Sequence, residues 1–293
     1  MPLAIRQIWA LLRKDLLIDL RRKENLLAMV FFAVLTLVIF QFALGNRGDD
    51  LFRVTPRVVA ELKAQGLPRD GLEALAFLMG RTYSTPGAFL GAFDLARQRP
   101  GGGGERIAIL EASRRTFLEE SAAGLLWVTF LLAGILGLSK SFDQERENAC
   151  LEGLLLTPVE RGMLYLGKMI SNALFLFILL LLLLPMFALM FGIHVWGVWL
   201  PLGAVILAGV LGFSALGTLL GAITASLRGK EVLLPLLLFP LMVPVLIIEV
   251  QVTGAILDGE PLAGQARWLG LLGLFDALYL TVSYLVFEYV MET

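Results

Sequence analysis

Apolar residues collect in six long runs: Leu26–Gly45, Ser121–Ser141, Met169–Ile193, Leu200–Leu227, Val232–Thr253 and Trp268–Tyr289. A helix needs about 20 such residues to cross the ~30 Å hydrocarbon core of a bilayer, so the pattern predicts six transmembrane helices. Ahead of the first run, residues 1–25 alternate differently. Arg6, Arg13, Lys14, Arg21, Arg22 and Lys23 share the stretch with Ile8, Trp9, Leu12, Leu16, Leu17 and Leu20 at helical spacing, which predicts an amphipathic helix lying on the cytoplasmic surface. The run behind it is long enough to span, so it reads as a membrane helix and not as a cleavable signal.

Two polar stretches interrupt the apolar pattern. Residues 46–120 form an insertion of nearly balanced charge whose apolar pieces, Leu75–Met79 and Ala88–Leu95, are too short to cross a bilayer. It is expected to fold as short helices over the outer mouth, with Gly101–Gly104 as a flexible joint that neither helix nor strand tolerates well. Residues 142–168 are charged and lie between the second and third spans. Leu151, Leu154 and Leu155 fall on one helical stripe there, and Thr157-Pro158 ends it, which predicts a surface helix that passes a push from a soluble partner into the next span.

Lys and Arg set the orientation. The N-terminal stretch, residues 142–168 and the Arg228-Gly229-Lys230 connection carry basic residues, whereas Val195–Trp199 carries none and Gly254–Arg267 carries one. Both termini are therefore expected in the cytoplasm, and the insertion falls outside by parity. Within the spans, Gly209, Gly212, Gly217 and Gly221 predict close helix approach, with Gly217 and Gly221 as a GxxxG pair. Pro235, Pro240 and Pro244 predict a kinked or interrupted fifth span.

Composition narrows the class. At 58% hydrophobic and 17% charged, the 293-residue chain is too apolar for a soluble domain. A net charge of −1 without an aromatic-interleaved basic face argues against nucleic acid. Cys150 and His194 stand alone, so no intrachain disulfide can form and a metal site would have to be built largely from carboxylates, of which no cluster is evident; no nucleophile–histidine pair is evident, and no GxxxxGK[ST] loop is present to hold ATP. No cofactor is expected on the chain itself.

Three segments carry a resemblance: Leu11-Leu12-Arg13-Lys14-Asp15-Leu16, the stretch from Phe142 to Pro158, and Phe239–Ile247. In the second, Phe142 is followed by Glu145 where Asp is usual and Ala149 where Gly is usual, then by Leu151-Glu152 and Leu154-Leu155-Leu156-Thr157-Pro158. Together they resemble the haem exporter protein B (CcmB) family, the membrane subunit of the cytochrome c maturation ABC complex. The resemblance implies an all-α ABC-2 type permease of the bacterial inner membrane, present as two copies. It implies an ATPase partner CcmA, the subunits CcmC and CcmD, and the haem chaperone CcmE, whose haem-loaded form ATP hydrolysis releases. The insertion is long for the family. A generic ABC-2 exporter of a lipid or drug shares the fold, and a non-transporting scaffold is a further alternative.

Two sets of residues are singled out. Phe142, Glu145, Glu147, Leu151, Glu152, Leu155 and Pro158 are expected to couple the chain to the ATPase. Glu249 and Asp276 are ionisable groups inside the fifth and sixth spans, where charge is expensive: they either share a polar vestibule or snorkel to the nearby interface; Arg267 is a candidate partner for either. His194 between aromatics suggests haem ligation, but Trp196 and Trp199 beside it read as an interfacial belt.

Overall fold

The structure, a computed structural model, describes residues 23–45, 50–98, 101–147, 161–193, 195, 197–225 and 230–290. Among these residues six helices are long and apolar enough to cross a membrane. They are α1 (Lys23–Gly45), α6 (Phe117–Glu147), α7 (Arg161–Phe191), α8 (Trp199–Ala225), α9 (Lys230–Leu257) and α10 (Ala266–Val290). The protein is an all-α, multi-pass membrane protein, with one small sheet outside the spans. Residues 1–22, where the interfacial helix is expected, lie outside the described residues.

Burial sorts the six helices into a centre and a rim. In α6 and α8, 72% of the most apolar window is buried, against 17% in α1 and α10. The rim helices turn Phe31, Ile39, Phe42, Leu274, Leu278 and Leu285 outward, which suits contact with lipid chains. The central helix α8 packs against α6, α7, α9 and α10. Its glycines make that crowding feasible, though not by backbone contact alone. A methyl group built on Gly217 would collide with Leu138 of α6, while the rings of Phe213 and Phe130 meet at 5.1 Å beside Gly134. Gly217 and Gly134 are sockets filled by a neighbouring helix's side chain.

Hydrogen bonds tie the helices together where hydrophobicity cannot, since lipid tails are as apolar as the side chains they would compete with. Trp127 Nε1 donates to Thr253 Oγ1 at 2.9 Å, joining α6 to α9. Asn172 Nδ2 donates to Thr218 Oγ1 at 2.9 Å, and Tyr165 Oη donates to the Ala215 carbonyl at 3.0 Å, joining α7 to α8. Tyr279 of α10 donates to the Leu241 carbonyl of α9. That acceptor lies one residue beyond the Pro240 carbonyl, which Pro244 deprives of its helical donor. Despite three prolines α9 is continuous from Lys230 to Leu257. The expected interruption is absent, because the other backbone groups still pair and neighbouring helices brace the segment.

The insertion forms its own core. Strands β1 (Asp50–Arg53), β2 (Thr82–Tyr83) and β3 (Arg114–Thr116) make an antiparallel sheet ordered β2-β1-β3. Helices α2 (Pro56–Ala64), α3 (Arg69–Phe77), α4 (Pro86–Arg97) and α5 (Gly103–Ser113) cover it. Leu62, Leu75, Phe89, Phe93 and Ile109 are fully or almost fully buried between these elements. Both α2 and α4 start at a Thr-Pro pair: Thr55 accepts from Val58 N and Thr85 from Ala88 N, with proline at the first helical position.

Gly101–Gly104 corrects an expectation. Gly103 and Gly104 open α5, and the Gly101 and Gly102 amides donate to Asp94 Oδ1 at 3.0 Å and Glu105 Oε2 at 3.3 Å. Glycines at a helix start are tolerated because those amides have no intrahelical acceptor and here find carboxylates. Arg97, with its side chain only 4% exposed, anchors the corner. Its Nε donates to Asp70 at 2.7 Å and its Nη1 to Glu105 at 2.6 Å, and these bonds raise the guanidinium pKa above its ordinary value. Asp94 pairs with Arg106 alongside.

The insertion sits on the end of the bundle that also carries the α7–α8 turn and the α9–α10 loop. Arg53 Nη1 lies 3.5 Å from Asp258 Oδ2, and Arg57 N donates to the Asp258 carbonyl at 3.2 Å. At the opposite end the start of α7 packs on the end of α10, with the Tyr165 and Phe287 rings 5.3 Å apart.

Candidate functional site: two carboxylates on one glycine face

Helix α8 presents Gly209 and Gly212 one turn apart, and each receives a carboxylate from a different helix. Glu249 of α9 reaches the Gly209 notch, where an added methyl would meet its Oε1 and lie 2.7 Å from Trp127 Cη2 and 2.8 Å from Glu249 Cδ. Asp276 of α10 fills the Gly212 notch in the same way, its Oδ1 against the glycine and its Cγ 3.3 Å from the position of an added methyl. No larger residue fits at either place without moving the acid. The sequence places glycine where the acids must come close, and the two acids lie within electrostatic reach of each other.

Burial makes this arrangement costly. Glu249 is 1% exposed and neither of its carboxylate oxygens has a hydrogen-bond partner, nor does Asp276 Oδ1. A buried polar group without a partner loses its hydration with nothing in exchange. The indole of Trp127, held by its bond to Thr253, closes the α6 side. Chemically, a fully buried carboxyl group (Glu249) with a half-buried one (Asp276) in the neighbouring notch can hold a cation or pass a proton, the usual employment of intramembrane acids. Among the described residues no cluster of three metal-ligating side chains exists, so the pair alone does not make a metal centre.

The structure thus brings Glu249 and Asp276 together, as a polar site at the fifth and sixth spans requires. Arg267 is not their partner. It is exposed at the start of α10, and the unpaired Glu249 oxygens show no bond to it. The glycine sockets and the Trp127–Thr253 clamp were not apparent from the residues alone, because small residues reveal where space exists and not what enters it.

Of the expected coupling residues, Phe142, Glu145 and Glu147 belong to the last turns of α6, which carries the second span onward without a break. Arg161–Lys168, grouped by sequence with the coupling segment, forms the first turns of α7. Leu151, Glu152, Leu155 and Pro158 lie outside the described residues, as do His194 and Trp196.

A family model described as "CcmB protein" matches residues 6–64 and 113–289. The chain belongs to the CcmB family. That match includes all six spans, the acid pair and both glycine notches, and it also takes in β1, α2 and β3. The internal segment of this CcmB chain that the match leaves out is 65–112, which holds α3, β2, α4 and all but the last residue of α5. The addition to the family pattern is therefore smaller than the 46–120 insertion read from the hydropathy pattern. Heme exporter protein B of Pseudomonas aeruginosa is 36% identical over 166 residues, covering 57% of this chain and 73% of the relative. Heme exporter protein B of Haemophilus influenzae is 35% identical over 153 residues, 52% and 69%. The protein of the same name from Rhodobacter capsulatus is 33% identical over 130 residues, 44% and 59%.

Proposed function

We propose that this chain is the permease subunit of a haem-exporting ABC complex in the bacterial inner membrane, working in cytochrome c maturation. The observation that supports this most is the two-part CcmB match over nearly the whole transmembrane region, together with relatives that carry the name Heme exporter protein B. In this reading both termini are cytoplasmic and the α6–α7 connection docks on the ATPase CcmA. Phe142, Glu145, Glu147, Leu151, Glu152, Leu155 and Pro158 form the contact, the acids meeting basic residues of a groove on the ATPase. Two copies of the chain associate with CcmC and CcmD, and ATP turnover in CcmA drives release of haem-loaded CcmE. The chain hydrolyses no ATP itself; Glu249 and Asp276 supply a polar station along the path by which the push reaches the far side.

Affinity purification of the tagged chain from native membranes, followed by mass spectrometry, tests the assembly. Recovery of an ATPase together with haem-handling subunits is expected. Recovery of an ATPase alone favours a general ABC-2 exporter, and recovery of neither favours a scaffold with other partners. For the docking contact, reversing Glu145 and Glu152 to Lys together should leave the protein at normal abundance while the yield of mature cytochrome c falls about tenfold or more. Normal maturation in that double variant would remove the assignment.

A further inference from the structure

A cleft of about 360 Å³ opens between the insertion and the ends of α6, α7 and α9. Its lining is mostly polar, with Ala123, Ile193, Val250 and Ala255 among its apolar members. It carries charges of both signs, Arg53 and Arg57 with Glu61, Asp258 and Glu260, the last accepting from Gln265 Nε2 at 2.6 Å. Arg57 and Glu61, on the face of α2 that borders the cleft, are exposed, one helical turn apart, and show no ion pair among the described residues. The Arg53–Asp258 pair closes the back wall, so those two charges are already matched to each other.

We propose that this cleft binds the headgroup of a zwitterionic phospholipid carrying a primary ammonium, of the phosphatidylethanolamine type. A guanidinium recognises phosphate through parallel N–H donors, and a carboxylate one turn away is placed to accept from an ammonium attached to that phosphate. A purely anionic headgroup would leave Glu61 facing like charge, and a quaternary ammonium would offer it no donor. The volume is at the low end for small-molecule pockets, which suits a headgroup whose acyl chains stay in the bilayer. The location agrees: Ala255 sits in the last turn of α9, Ile193 just beyond the end of α7 and Ala123 in the first turn of the α6 span, the level at which a lipid presents its phosphate. Nothing in this inference depends on haem or ATP.

The test is lipid retention by the full chain extracted from membranes containing phosphatidylethanolamine and phosphatidylglycerol, read by native mass spectrometry. Preferential retention of phosphatidylethanolamine is expected, reduced about tenfold by Arg57→Gln and by Glu61→Gln. The exchange Arg57→Glu with Glu61→Arg should recover part of the preference, which a merely unfolded insertion would not do. Equal retention of both lipids, or an unchanged preference in both single variants, overturns the proposal. Displacement of the bound lipid by soluble glycerophosphoethanolamine at matched concentration would assign the site to a water-borne ligand and overturn the lipid assignment.

Discussion

Gly212 and Asp276 make a lock of two residues, and the lock can be picked from either side. Gly212→Ala sets a methyl against a carboxylate oxygen and should destabilise the protein by about 1–3 kcal/mol, the usual cost of overpacking. Adding Asp276→Ala removes the obstruction, so the double variant should melt closer to the unmodified protein than Gly212→Ala alone does. Thermal unfolding in detergent measures both. Glu249→Gln keeps the shape of the side chain and gives it a donor. It should preserve folding and assembly with the partner subunits while lowering cytochrome c maturation if the carboxylate itself is used; unchanged maturation would make Glu249 a packing residue. At this scale the sequence announced the acids, because a charge among Leu and Val stands out. It was silent on their partners, since Gly209 and Gly212 could as well have met a backbone as a side chain.

Among the elements, α4 and α5 meet at Arg97. Arg97→Ala removes one bond from each of two carboxylates, Asp70, which is partly exposed, and Glu105, which keeps the Gly102 amide, so it should cost the insertion about 1–3 kcal/mol. Limited proteolysis should then cut between α3 and α5 while the six spans stay protected; an unchanged digest would show that the corner is held by Phe93 and its neighbours instead. The glycine run here reads as a joint in the sequence because glycine is a poor helix former. The start of a helix is the exception, since amides without intrahelical acceptors can be met by carboxylates such as Asp94 and Glu105. The three strands escape notice for a simpler reason: two to four residues show no alternation. The Thr55-Pro56 and Thr85-Pro86 pairs that start α2 and α4 are helix-start signals that the hydropathy pattern does not use. The long spans were legible throughout, because twenty apolar residues in a row have few other uses. The same clarity ended at Glu147, where α6 continues as helix into charged residues that hydropathy assigns to a separate segment.

For the whole molecule, the insertion and the bundle are joined at one place that chemistry can test. Gly259 adopts φ +85, which strains any other residue, and a Cβ built there would lie 3.2 Å from Arg57 Cβ, a few tenths of an ångström inside the ~3.5–4.5 Å that a disulfide spans. With Cys150 replaced by Ser, Arg57→Cys and Gly259→Cys should form a bond under mild oxidation, seen as a mobility shift that a reductant reverses. Failure to react would mean that the insertion stands away from the α9–α10 loop. If the bond forms and maturation continues, the Leu257 end of α9 need not part from the insertion during turnover; if maturation stops on oxidation and returns on reduction, that parting is a step of the cycle.

The added segment 65–112 is framed by β1 and β3, which pair directly from Asp50↔Thr116 to Phe52↔Arg114. Such a ribbon makes a natural graft point. A foreign folded tag seated in place of those residues would be carried on a two-strand stalk, giving a handle for imaging or capture that leaves the buried acids and every membrane crossing as they were.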